Sequence, residues 1–170
     1  MSWGRRFRVR QFVRGSIWLI PVLGGVTGSV CGILASDSGR HLDLPASWTN
    51  WSLSALAQAD MVLLVTEMSV SGLHRARRQL DLLREQDLTS VDLRVVINRF
   101  EKGLLRTVRE ADVQKALGRG VAYTIANDPA VMHPAIERGV PLSDIKRKSA
   151  VGKDIDMLDA GIAAAFGRER

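Results

Sequence analysis

The chain has 170 residues, 46% of them apolar, which suits one ordinary domain with a short appendage and excludes a disordered polymer. Its formal charge is +6, but five arginines and no acid lie in residues 1–35, leaving 19 basic against 18 acidic residues in 36–170. A nearly neutral body argues against a nucleic-acid-binding domain, and the basic start speaks for phospholipid headgroups and membrane topology.

Residues 1–15 form a basic segment carrying Arg5, Arg6, Arg8, Arg10 and Arg14. Behind it, the 20 residues Ser16 to Ala35 are uncharged. At about 1.5 Å rise per residue such a run makes a helix of roughly 30 Å, the thickness of a bilayer's hydrocarbon core. A transmembrane helix over 16–35 is therefore expected. Pro21 and the glycines favour lipid over water as its solvent. Gly24, Gly28 and Gly32 would share one face and let a second helix approach closely. A secretory signal peptide is the alternative, although Ile33-Leu34-Ala35 makes a poor cleavage site. A phosphate loop at Gly24-Gly25-Val26-Thr27-Gly28-Ser29-Val30 fails on chemistry. No lysine precedes Lys102, and the magnesium-holding hydroxyl position is occupied by Val30. The single cysteine, Cys31, lies in this run and has no intramolecular disulfide partner.

Residues 36–53 read as a linker and 54–170 as an α/β unit. Met61 to Thr66 and Leu93 to Asn98 are short, apolar and rich in β-branched residues, as parallel strands covered on both faces should be. Val121 to Ile125 is a weaker third. Between the first two, Leu73, Ala76, Leu80 and Leu83 recur at helical spacing over about 72–86. Thr107 and Glu110 have capping-box spacing ahead of a helix closed by Gly118. Asp128-Pro129 opens a short helix ending at Gly139, and a last helix runs from about Val151 to Phe166. About three strands and four helices result, few for a complete doubly wound sheet. A half sheet leaves an edge open, which makes a homodimer an expected state.

Ala59-Asp60-Met61-Val62-Leu63-Leu64-Val65-Thr66, Ile97-Asn98-Arg99, Ala116-Leu117-Gly118, Ile125-Ala126-Asn127-Asp128-Pro129, and Gly139-Val140-Pro141-Leu142 before Lys148-Ser149 follow one another in order. Together they resemble the C-terminal half of the ParA/MinD-type P-loop ATPases, most closely the CpaE/TadZ branch that localises tight-adherence (Flp, type IV) pilus assembly. The resemblance covers about Ser54 to Phe166. It implies a truncated parallel-sheet P-loop-NTPase-like half domain. It also implies that Asn98 with Arg99, and the loop Ile125 to Pro129 with Asn127 and Asp128, lie near a nucleotide base. Ala126 departs from the proline usual there. Asp43-Leu44-Pro45 is similar to the family's Asp-x-Pro, where the Asp serves magnesium or water, but Ser38 to His41 is no buried apolar strand to carry it. The bland reading of Asn98 is a polar strand end bonding loop backbone. The first fifty residues resemble instead the opening of a bacterial multi-pass membrane family, which suggests a join around Asp43 to Trp51.

His41, His74 and His133 have no ligand-like spacing, so no metal is expected, and no nucleophile-elbow sequence or other catalytic residue stands out. Arg75, Arg77, Arg78 and Arg84 make one helix locally basic, and a solvated face is the simpler reading of them than nucleic acid. Trp48 and Trp51 suit either a membrane interface or a core. The function expected is thus a non-catalytic, membrane-associated accessory of a pilus or secretion system at the bacterial inner membrane, acting through protein contacts. No cofactor is expected in this chain; ATP and magnesium enter only if a partner supplies the phosphate loop. A ParA-like DNA-binding module is a further alternative. One conflict stands: arginines kept inside would send residue 36 onward outside, whereas relatives of the tail work in the cytoplasm.

Overall fold

In the computed structural model the described residues are 31–35, 40–44, 50–101 and 108–167. Five strands form one sheet: β1 (Cys31–Ala35), β2 (Arg40–Leu44), β3 (Met61–Glu67), β4 (Asp92–Phe100) and β5 (Val121–Ala126), in the order β2-β1-β3-β4-β5. The helices are α1 (Asn50–Ala57), α2 (Val70–Glu85), α3 (Glu110–Leu117), α4 (Pro129–Arg138), α5 (Leu142–Ile145) and α6 (Ala150–Ala165). Pairs β3–β4 and β4–β5 are parallel, joined through α2 and α3, as βαβ units require. Strand β1 runs antiparallel to both β2 and β3, so β2 points the same way as β3.

Period-two alternation sorts the strand residues onto two apolar layers. Val62, Leu64, Val95 and Ile97 meet Leu44, Leu56, Leu73, Ala76, Leu80, Leu83, Val113 and Leu117, which places α1, α2 and α3 on one face. Met61, Leu63, Val96 and Ile125 meet Val131, Val151, Ile155 and Leu158, which places α4 and α6 on the other. Helix starts follow their caps. The Ser69 hydroxyl accepts from Gly72 N at 3.0 Å to open α2, and Ser149 does the same for Gly152 N at 3.0 Å in α6. Gly118 and Gly139, at φ of +66° and +63°, end α3 and α4 in the left-handed conformation that glycine adopts without a Cβ clash.

Three expectations are corrected. The end of the transmembrane helix proposed over 16–35 is a strand: Cys31–Ala35 pairs with β2 and with β3, Leu34 lying opposite Met61. An uncharged run rich in Gly, Ile and Val serves a strand as well as a membrane helix, and here its end pairs along the flank of β3. Gly32 consequently sits in β1 between Asp43 and Leu63 rather than on a helix face, while Gly24 and Gly28 lie outside the described residues. Among the described residues no helix is long and apolar enough to cross a membrane. The supposed linker 36–53 contains β2 and the start of α1, so Asp43 does stand on a strand, though one at the sheet's edge. Finally, α3 begins at Glu110, and its box is made by Asp112, whose Oδ2 accepts from Arg109 N at 2.8 Å. The same three-residue spacing is thus used two positions later than Thr107–Glu110.

Candidate functional site at the carboxyl rim of the parallel strands

Loops after the carboxyl ends of parallel strands form the crevice in which open α/β sheets bind ligands. Parallel pairing sets Glu67, the last residue of β3, level with Asn98 of β4. Beyond Ile97 the β4–β5 register shifts, and Phe100 is the next residue to pair, with Ala126. Asn98 and Arg99 therefore form a bulge. Arg99 sits at φ +53°, a conformation uncommon for a residue with a long side chain. Asn98 Oδ1 accepts from the Arg99 N–H at 2.9 Å, the local bond that steadies this turn.

The bulge aims Arg99 across β3, where its Nη1 lies 3.3 Å from Glu67 Oε1. Both side chains are well exposed, so the pair positions the rim more than it stabilises it. On the other side, Asn127 N donates to Phe100 O at 3.0 Å and Asn127 Nδ2 donates to Glu101 Oε1. Ala126 N donates to Asp154 Oδ2 at 2.8 Å, tying the end of β5 to α6. Asp128 occupies the N-cap position of α4 and Pro129 its first turn, with no bond from the Asp128 side chain to the helix amides. Below the rim, Thr66 is 1% exposed and its Oγ1 has no hydrogen-bond partner.

The structure thus gathers Asn98, Arg99, Asn127, Asp128 and Pro129 at one rim. Asp43 is not part of it. Its Cα is level with Leu63 through Gly32. Three strand spacings sideways and four residues along put it about 20 Å from Asn98. Sequence reasoning missed Glu67, Glu101 and Asp154. Glu67 had a signal, since it follows directly on an apolar strand in parallel pairing with another. Asp154 had none, because it reaches β5 from 28 residues away.

Chemically the rim offers amide and carboxylate groups around one guanidinium. Asn98 Nδ2 and Asn127 Oδ1 are left facing away from the bonds just described. Such a set recognises a polar planar group better than it grips phosphates, which need a glycine loop and lysine. Among the described residues no group of three His, Cys, Asp or Glu side chains is placed to hold a metal ion. Two of the four arginines of the basic helix α2 are engaged within the molecule. Arg77 and Arg84 pair with Asp81 at 3.0 and 2.7 Å, and Arg77 Nη1 donates to Ala116 O at 2.9 Å.

Solved structures share the fold. A ParA family ATPase from Chlorobium tepidum superposes with a TM-score of 0.58 at 22% identity, over 67% of this chain and 45% of that one. The fold is that of one half of the ParA and MinD ATPase structures. The septum site-determining protein MinD of Pyrococcus horikoshii, determined with Mg-ADP, matches with a TM-score of 0.58 at 19% identity, over 75% of this chain and 51% of that one. The MinD cell division protein of Aquifex aeolicus matches at 0.53 and 22%, over 63% and 45%. The chain therefore spans about half the length of the ParA/MinD structures it matches. No family model matches the sequence, and no curated protein matches it.

Proposed function

We propose that this ParA/MinD-like half domain is a non-catalytic accessory of a CpaE/TadZ-like system for tight-adherence pilus assembly or secretion. It acts through contacts with other proteins or a second copy of itself. The observation that supports the non-catalytic reading is a contrast in the residues present. Asn98, Arg99, Asn127 and Asp128, base-side positions by resemblance, lie at one rim, whereas no lysine occurs before Lys102 in this sequence to hold phosphates. Titration of the purified chain with Mg-ATP by calorimetry is expected to give no saturable heat. Micromolar, magnesium-dependent binding would overturn the proposal. Loss of surface pili on deletion of the gene is the matching test of the pilus role; normal pili would count against it.

The arginine-led start suggests the place of work, the bacterial inner membrane. Each arginine near an anionic surface contributes about 1 kcal/mol. Exchanging Arg5, Arg6, Arg8, Arg10 and Arg14 for glutamine is expected to weaken cosedimentation with anionic vesicles by more than about tenfold. Equal binding by the exchanged chain would remove the basic segment from the account.

The bulge at Asn98-Arg99 favours a second reading. Strained backbone clusters at binding sites, and Arg99 is held at φ +53°. In this reading the rim keeps a nucleotide base while a partner chain supplies the phosphate loop and magnesium site. ATP binding would then appear only on adding that partner, and would fall on exchange of Asn98 or Asn127. Nucleic acid is the partner least favoured, since Arg77 and Arg84 serve Asp81. A gel shift that weakens steeply with salt would reverse that judgement.

A further inference from the structure

Among the described residues no strand pairs with the outer side of β5, the last strand in the sheet order. An open parallel-sheet edge is a template for a further strand, and stable proteins blunt such edges with charges, short strands and irregular pairing. Strand β5 has two of these features. Its pairing with β4 carries two register shifts. The charge comes from outside the strand. Successive amides of an extended chain point to opposite sides. Asn127 N bonds inward to Phe100 O, so Ala126 N points outward, and it is there that Asp154 Oδ2 accepts it at 2.8 Å. The next outward amide is that of Thr124, on a half-buried residue next to exposed Ala122.

We propose that Asp154 is the closure of this edge: by holding the outward amide of Ala126 it keeps β5 from pairing antiparallel with β5 of a second copy. The second copy is the occupant that β5 itself suits. Arg119, one nitrogen of which donates to Leu93 O at 3.3 Å, precedes the strand and Asp128 follows it. Antiparallel alignment of two copies brings the basic end of each beside the acidic end of the other, and unlike charges across strands are attractive. The carboxylate stands in for the carbonyl that a neighbouring strand would present. Removing it leaves two outward amides per copy, at Thr124 and Ala126, free to make ladder bonds.

The test uses the full chain in mild detergent and sedimentation equilibrium. Asp154→Ala is expected to tighten self-association by about tenfold relative to the parent, since each symmetric pairing gains two amide bonds. Adding Thr124→Pro, which deletes the remaining outward amide and suits an edge position, is expected to return association to the parent value. Unchanged association of Asp154→Ala overturns the proposal. So does increased association or aggregation that Thr124→Pro fails to reverse, because that result would trace to general loss of packing.

Discussion

At the scale of single residues, one position is set by close contacts and one by its backbone conformation. Gly72 is buried where α2 starts, and a Cβ there would lie 2.6 Å from Glu67 O and 2.9 Å from Ser69 Oγ. Because one obstacle is backbone, the helix start and the end of β3 must separate to admit a methyl group. Gly72→Ala is expected to cost about 2 kcal/mol, read from denaturant midpoints; a variant as stable as the parent would show that the junction yields. Arg99 is the converse case, a long side chain in left-handed backbone at φ +53°. Arg99→Gly is expected to stay within about 1 kcal/mol of the parent, the conformational relief offsetting the exposed pair with Glu67. Arg99→Val is expected to cost about 2 kcal/mol, because a β-branched residue suits that backbone least. Equal stability of the two variants would mean that the bulge relaxes on substitution.

At the scale of elements, α6 is held against the sheet by a polar clamp as well as by its apolar face. Arg94 of β4 bonds Asp92 at 2.9 Å, Tyr123 Oη at 3.2 Å and Gly161 O at 3.4 Å. The hydrogen bond to Asp92, with a smaller help from Tyr123, holds the guanidinium pKa above its usual value against the opposing effect of burial. The sign follows: a raised pKa favours the folded state while the group is protonated, and that contribution fades only as pH climbs through the folded value, above the range of ordinary measurement. Stability near neutrality therefore does not vary through Arg94. Gly161 has no room for a side chain, its Cβ position overlapping the Tyr123 hydroxyl. Gly161→Ala is expected to cost about 2 kcal/mol in the parent and clearly less in a Tyr123→Leu background. Additive costs in that double-mutant cycle would separate the two residues. The apolar periodicities of α2 and α6 were legible in the sequence. Arg94's bonds to Tyr123 and Gly161 were not, since those residues lie 29 and 67 residues away.

At the scale of the whole molecule, the two apolar layers share one sheet, Val95 and Ile97 of β4 facing one and Val96 the other. Unfolding of the described region is therefore expected to be a single transition. Leu80→Ala in the α2 layer and Leu158→Ala in the α6 layer should each cost about 2–4 kcal/mol. Both should move the same midpoint in fluorescence and circular dichroism alike; two separated transitions would mean that the layers fold independently. The antiparallel pair β1–β2 flanks β3, so a charge at Leu44, 1% exposed and packed in the α2 layer, is expected to lower this same midpoint.

How much of this was legible in the sequence differs by feature. Strands Met61–Glu67 and Asp92–Phe100, helix α2 and the stops at Gly118 and Gly139 follow from local causes: β-branched apolar runs, helical spacing of leucines and the left-handed freedom of glycine. Asn98, Arg99 and the Asn127 to Pro129 loop were also placed at strand ends by sequence, and parallel strands with helical crossovers put such ends on one rim. Tertiary structure alone decided the rest. The uncharged residues Cys31–Ala35 satisfy a membrane helix and a strand equally, and only pairing with Met61 to Leu64 selected the strand. Asp43, close to the rim by motif, is far from it by register. Asp154 carries no signal along the chain, because the amide it holds becomes its neighbour only when α6 packs across the end of β5.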